Sequence, residues 1–312
     1  MKIRLLSGAC YVALLVGFFC LKIFLPQPYG DFAFDGLLYF FGLLGTFEML
    51  RAMGDRVTKK QCAIVYAFAA LAIPMCVLFE YGIGNGGGMI ALSVCVVVLS
   101  VALLSLLVMA HEETNLEGLG VAFLSAVYPT LLLCVLALGN HITPPAELAA
   151  IGFDSQLFVL FVFIVSPCAD SIAYVFGRFL KKYFPKKMAP KLSPNKTVIG
   201  GIGGLVGGML GALVLFFVYN AALGDVYGVS SIDAASIDNA QIWLPIYIII
   251  GLLGAVATAF GDLVESCIKR KVGLKDMGKI MPGHGGALDR LDGTLFASLT
   301  TYLSFVILYV IF

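Results

Sequence analysis

Recurring apolar runs limit the fold of this chain more than any motif does. Stretches long enough, or nearly long enough, to cross a bilayer fall at about 5–25, 33–50, 62–79, 89–110, 119–139, 157–177, 198–221, 242–262 and 294–312. One hydrocarbon crossing takes roughly 20 apolar residues as helix, so the chain is expected to be an all-α, polytopic membrane bundle of about nine transmembrane helices. Composition agrees: of 312 residues 60% are hydrophobic and 12% charged, against about 25% charged in soluble domains. The second run is the weakest, starting beside Asp31 and Asp35 and containing Glu48, which reads either as a buried acid or as a helix end. No polar stretch is long enough to bury a core of its own. The chain is therefore divided only into an N-terminal membrane part, 1–150, and a C-terminal part, 151–312, with cytoplasmic loops 178–197 and 263–293.

Loop charge sets the expected orientation. With the N-terminus in the cytoplasm and strict alternation, nineteen of the 20 Lys and Arg residues fall on the cytoplasmic side; Lys22, near the outer end of the first span, is the exception. The C-terminus then lies outside. The start Met1-Lys2-Ile3-Arg4 imitates a signal peptide, but no small-x-small cleavage site is clear near Leu25-Pro26, so a retained first span is expected. The eight cysteines form no CxxC pair and no zinc spacing, and read as packing residues.

Against this oily background stands one polar island, Gly261 to Gly293. Charges next to hydrocarbon cost on the order of 3 kcal/mol each at a helix centre, so this density implies use. Asp262, Glu265, Ser266 and Lys269 are spaced i, i+3, i+4 and i+7, and share one face if the preceding helix continues. Asp289 and Asp292 repeat the i, i+3 spacing at the entry to the last apolar run. Between them Pro282-Gly283-His284-Gly285-Gly286 cannot be regular helix. Acids, bases and a glycine-rich turn together suit a metal-bound nucleotide phosphate.

A second polar stretch begins at Asp170, inside the sixth run, with Tyr174 and Arg178 one and two turns on. Ser193-Pro194-Asn195-Lys196-Thr197 then precedes a helix start, where hydroxyls and N–H groups can hold phosphate. Gly200, Gly201, Gly203, Gly204, Gly207, Gly208 and Gly211 form an overlapping GxxxG ladder, read as close helix packing. Gly273 to Lys279 imitates a phosphate-binding loop, but Ile280 stands where a metal-binding hydroxyl is needed. His111, His141, Glu112, Glu113 and Glu117 read as ordinary connector residues, and the repeat Ser231-Ile232-Asp233, Ser236-Ile237-Asp238 as a solvated connector.

The run Ser266-x-x-Lys269-Arg270, Lys275-Asp276, Pro282-x-His284-Gly285-Gly286-x-x-Asp289-Arg290-x-Asp292 closely resembles the signature of the phosphatidate cytidylyltransferases. The Ser193–Thr197 stretch resembles a second block of that family, with Ile199 where the family usually has Glu. The resemblance implies transfer of a cytidylyl group from CTP to phosphatidic acid, giving CDP-diacylglycerol and pyrophosphate for phospholipid biosynthesis. It implies Mg²⁺, with room for a second cation, on Asp262, Asp289, Asp292 and Glu265. Lys196, Lys269 and Arg270 would bind phosphate, with Ser193 and Thr197 beside them. His284 and Lys275 would meet the triphosphate or leaving group, and Asp170 is a site member without a role. Expected partners are CTP, phosphatidic acid, the bilayer and a second copy in a homodimer, with no nucleic acid. The expected location is a bacterial cytoplasmic membrane, the site facing the cytoplasm. The competing readings are a CTP-dependent polyprenol or dolichol kinase, which the filled pattern disfavours, and a secondary transporter. A transporter would place ionisable groups nearer the midplane.

Overall fold

The computed structural model describes residues 2–84, 86–190, 192–224, 240–281 and 285–312. The helices are α1 (Lys2–Phe24), α2 (Tyr29–Met53), α3 (Lys59–Ile83), α4 (Gly87–Met109), α5 (Leu116–Ala126), α6 (Leu132–Asn140), α7 (Ala146–Ala150), α8 (Ser155–Phe179), α9 (Val198–Leu223), α10 (Ala240–Lys271) and α11 (Leu288–Ile311). A π-helical turn, Val127–Leu131, joins α5 to α6 and contains Pro129. Counting α5 to α6 as one element, nine helical segments among the described residues are long and apolar enough to cross a membrane. The outward side of α4 carries Val94, Val97, Val98, Val101, Leu104 and Val108. An apolar exterior of this kind suits hydrocarbon rather than water. The expected all-helical membrane architecture is found, with one addition: an antiparallel hairpin of β1 (Lys187–Ala189) and β2 (Ser193–Thr197) leads into α9. The repeat at Ser231–Asp238 lies outside the described residues.

The chain divides into two compact units. The first holds Met1–His141 with Lys269–Leu291, and the second Ile142–Ile268 with Asp292–Phe312.

In the first unit, Thr58 and Gln61 form a capping box that starts α3, satisfying two N-terminal donors reciprocally. A buried polar cluster ties α1, α2 and α6 together. Lys22, fully buried, pairs with Asp31 and donates to the Asn140 carbonyl at 3.3 Å. The Asn140 amide donates to Asp35 Oδ1 at 2.9 Å and to the Asp31 carbonyl at 3.1 Å. His141 Nε2 lies 2.6 Å from Asp35 Oδ2. Lys22, the one cation that breaks the loop-charge pattern, is thus neutralised within the protein. His141, read from sequence as a plain connector residue, closes the cluster. Burial alone would lower its pKa; the hydrogen bond to Asp35 and the charges of Asp35 and Asp31 outweigh that and raise it.

In the second unit the glycine ladder does what its spacing suggests. A methyl on Gly207 would meet the Cys168 carbonyl oxygen at 2.6 Å, and one on Gly203 the Phe176 side chain at 2.6 Å, so α9 packs directly on α8. One on Gly208 would fall 2.5 Å from the Gly251 carbonyl oxygen on α10. Only glycine permits backbones this close. An aromatic group of Phe153, Phe161, Tyr247 and Phe305 fills the interior, with Phe153 and Phe305 stacked at 4.4 Å between centroids.

Candidate active site

The helix α10 runs unbroken through Lys271, so Asp262, Glu265, Ser266 and Lys269 do share one helix and its spacing puts them on one face. The helix ends where Gly273 adopts φ +75°. The Leu274 N–H returns to the Lys269 carbonyl at 2.8 Å and that of Gly273 to Arg270 at 3.3 Å, a helix stop that glycine permits without strain. Lys269, Arg270 and Lys271 therefore stand in the last turn, where the helix dipole favours cations.

Within the second unit, α10 meets α11 at Gly261. A methyl there would lie 2.7 Å from the Phe296 ring and closer still to the Asp292 carbonyl oxygen. This close approach places Asp262 and Asp292 on neighbouring backbones. Gly293 continues the contact, since a methyl on it would fall 2.6 Å from Thr258. Asp262, about one third exposed, forms an ion pair with Lys196 at the end of β2, and accepts weakly from Ser266 at 3.4 Å. Asp292 Oδ1 accepts from the Gly293 N–H at 2.8 Å. Thr197 caps α9, its hydroxyl oxygen accepting from the Gly200 N–H at 3.1 Å. It is buried, so this structure uses the hydroxyl for the helix start. Ser193 opens β2 and is half-buried. Asp170 is exposed on α8. Arg178, expected on its stripe, donates to the Tyr174 hydroxyl at 2.7 Å. Glu265 is fully buried.

Within the first unit, Asp289 gathers the loop between α10 and α11. Its Oδ1 accepts from Lys269 Nζ at 2.7 Å, and its Oδ2 from the Met277 and Gly286 N–H groups at 2.9 and 2.7 Å. Gly285 has φ +88°, a conformation that glycine adopts without strain, and its carbonyl oxygen accepts from the Met281 N–H at 2.9 Å. His284, with Pro282 and Gly283, lies outside the described residues. Lys275, Asp276, Lys279, Arg270 and Arg290 are exposed. Glu48 on α2, left open by the sequence, also reaches this loop. Its Oε1 and Oε2 accept from the Ala287 and Leu288 N–H groups at 3.1 and 3.0 Å. The signal available in the sequence was the unexplained acid in Phe47-Glu48-Met49-Leu50; its partners, some 240 residues away, were not readable.

Among the described residues, no group of three or more His, Cys, Asp or Glu side chains assembles into a metal-binding arrangement. The donor chemistry nevertheless fits Mg²⁺. That ion is commonly held by one or two carboxylates completed by waters and substrate phosphates rather than by an all-protein cage. Asp262 and Asp289 each carry a lysine ammonium in this structure, so each carboxylate already engages a cation.

The model of the cytidylyltransferase family matches residues 4–308 of the chain. Over 143 residues, 46% of each chain, the protein is 35% identical to phosphatidate cytidylyltransferase of Staphylococcus haemolyticus. Over 139 residues, 45% of each chain, it is 37% identical to that of Staphylococcus saprophyticus and 36% to that of Staphylococcus aureus. These alignments span about half the length of the curated relatives they match.

Proposed function

The chain belongs to the cytidylyltransferase family, and from that premise we propose that it transfers a cytidylyl group from CTP to phosphatidic acid. The observation that carries the proposal is the family match across nearly the whole chain, joined to the Asp262/Lys196 and Asp289/Lys269 pairs on the elements that the signature spans. In the proposed reaction a phosphate oxygen of phosphatidic acid attacks the α-phosphorus of CTP. The bond from that phosphorus to the bridging oxygen breaks, and pyrophosphate leaves with the electron pair. The attacking oxygen is anionic at neutral pH, so no strong general base is needed. The barrier lies in bringing two polyanions together, which fixed cations relieve.

Lys196, Lys269 and Arg270 are the proposed phosphate binders, with Lys275 and His284 proposed on the triphosphate or pyrophosphate side. Mg²⁺ would be held by Asp262 and Asp292, which the Gly261 contact places on neighbouring backbones. Asp289 lies one turn before Asp292 on α11, and Glu265 one turn beyond Asp262 on α10. When bound, the ion supplies charge neutralisation at the phosphates and the leaving group. Lys196 and Lys269, paired here with Asp262 and Asp289, are the cations that would meet phosphate oxygens. A lipid substrate keeps its tails in the bilayer, so the proposed site opens at the cytoplasmic interface, in a protein whose N-terminus is cytoplasmic. A homodimer is proposed on the family resemblance alone.

The test is incorporation of CTP into lipid by purified protein supplied with phosphatidic acid and Mg²⁺. Cytidine should become lipid-soluble in wild type and remain aqueous with Asp262→Asn. Full incorporation by that variant would remove Asp262 from the site, and none by wild type would refute the activity.

A further inference from the structure

An acid in an apolar helix is costly to bury, and Glu48 sits in α2 with 1% of its surface exposed. Its surroundings show where that cost is offset. Ala287 and Leu288 enter α11 with 0% and 1% exposure. The first N–H groups of a helix have no partner within it, and water does not reach these two. Both oxygens of Glu48 accept from them, and a carboxylate at a helix N-terminus also meets the positive end of the dipole.

The contact is built for this side chain. A methyl on Gly286 would fall 2.5 Å from both Glu48 oxygens. One on Gly278 would fall 2.5 Å from its carboxyl carbon and closer still to Oε1. Two glycines from the loop thus make room for one carboxylate. On the other side, α2 is seated by Thr46, whose hydroxyl lies 2.8 Å from that of Thr130. A methyl on Gly45 would meet Leu288 at 3.0 Å and Pro129 at 3.1 Å. Residue by residue, Glu48 fixes 287 and 288, and Asp289 fixes 277, 286 and Lys269.

We propose that Glu48 is a positioning residue for the transfer site: held on α2, it fixes the entry of α11 and so the direction in which Asp289 and Lys269 are presented. This role rests on the cytidylyl-transfer reading above. Glu48 touches no reacting atom in it and acts through Ala287 and Leu288 at the entry to α11.

Glu48→Gln is the variant of choice, because it keeps the shape and leaves one of the two N–H groups facing an amide NH₂. Hydrogen exchange on the full-length protein in lipid nanodiscs should quicken at Ala287 and Leu288 by about ten-fold or more, with α4 unchanged. The kcat for CTP should fall roughly 10- to 100-fold, the usual cost of losing a group that orients a site. A residue that only packs would lower thermal stability and leave the kcat of folded protein at the wild-type value. Unchanged exchange at 287 and 288, or faster exchange with wild-type kcat, overturns the proposal. Should Glu48→Gln not accumulate as folded protein, Gly278→Ala displaces the carboxylate without removing it and should produce the same two changes; wild-type values for both would overturn the role. A wild-type protein that makes no CDP-lipid refutes the transfer reading, while the exchange comparison still decides whether Glu48 holds Ala287 and Leu288.

Discussion

The contact at Gly261 offers the sharpest perturbation. A Cβ there would stand 2.7 Å from the Phe296 ring and nearer to the Asp292 carbonyl oxygen, whereas ordinary contact begins near 3.4 Å. The ring can turn; the backbone oxygen cannot. Gly261→Ala must therefore part α10 from α11 by on the order of 1 Å at the place that carries Asp262 and Asp292. Overpacking of this kind costs about 1–3 kcal/mol of stability. A misplacement of about 1 Å costs roughly 100-fold in rate where reacting groups must be aligned. The activity loss should therefore exceed anything the lost stability explains. The assay is kcat/KM for CTP on folded, size-purified protein, with thermal unfolding measured alongside. Gly17→Ala and Gly120→Ala, where an added methyl meets nothing within 4 Å, serve as controls and should retain wild-type turnover. Wild-type kcat/KM in Gly261→Ala would refute the claim that this crossing sets the site.

Other outcomes follow from the same structure. Lys22→Ala should destabilise the protein by about 3–5 kcal/mol, since it removes the buried cation that pairs with Asp31 and donates to the Asn140 carbonyl; a thermal midpoint equal to wild type would contradict this. The raised pKa of His141 means that its protonated form is favoured in the fold. That contribution is fully present below the unfolded value of about 6.5 and is lost as pH rises through the raised folded value. Thermal stability of wild type should therefore decline across that interval, His141→Gln should lose this component, and identical profiles would refute it. Chelation should stop cytidine incorporation and Mg²⁺ restore it, and Asp289→Asn should abolish it in folded protein; turnover indifferent to both would remove the ion and Asp289 from the reaction.

Much of the architecture was legible because it depends on local composition. The nine long apolar helical segments among the described residues follow from apolar length alone, and α10 carries Asp262 through Lys269 as their spacing required. The GxxxG ladder in α9 is helix packing, as its small-residue period says. What escaped was pairing between distant residues. Nothing near Glu48 announces Ala287 and Leu288, and nothing near His141 announces Asp35. Asp289 reads from its i, i+3 spacing as a metal ligand, yet the fold also gives it two loop amides and Lys269. The hairpin before α9 was hidden by Pro194, a residue that withholds a strand donor. Local pattern reports the period of an element; which buried donor meets which acceptor is settled by tertiary packing.

The most direct measurement follows the position of label. Wild-type protein with phosphatidic acid, Mg²⁺ and CTP labelled at either the α- or the γ-phosphate should move the α-label into lipid and release the γ-label as pyrophosphate. Transfer of the γ-label to lipid, with the α-label left in soluble CDP, would contradict cytidylyl transfer and identify a lipid kinase instead.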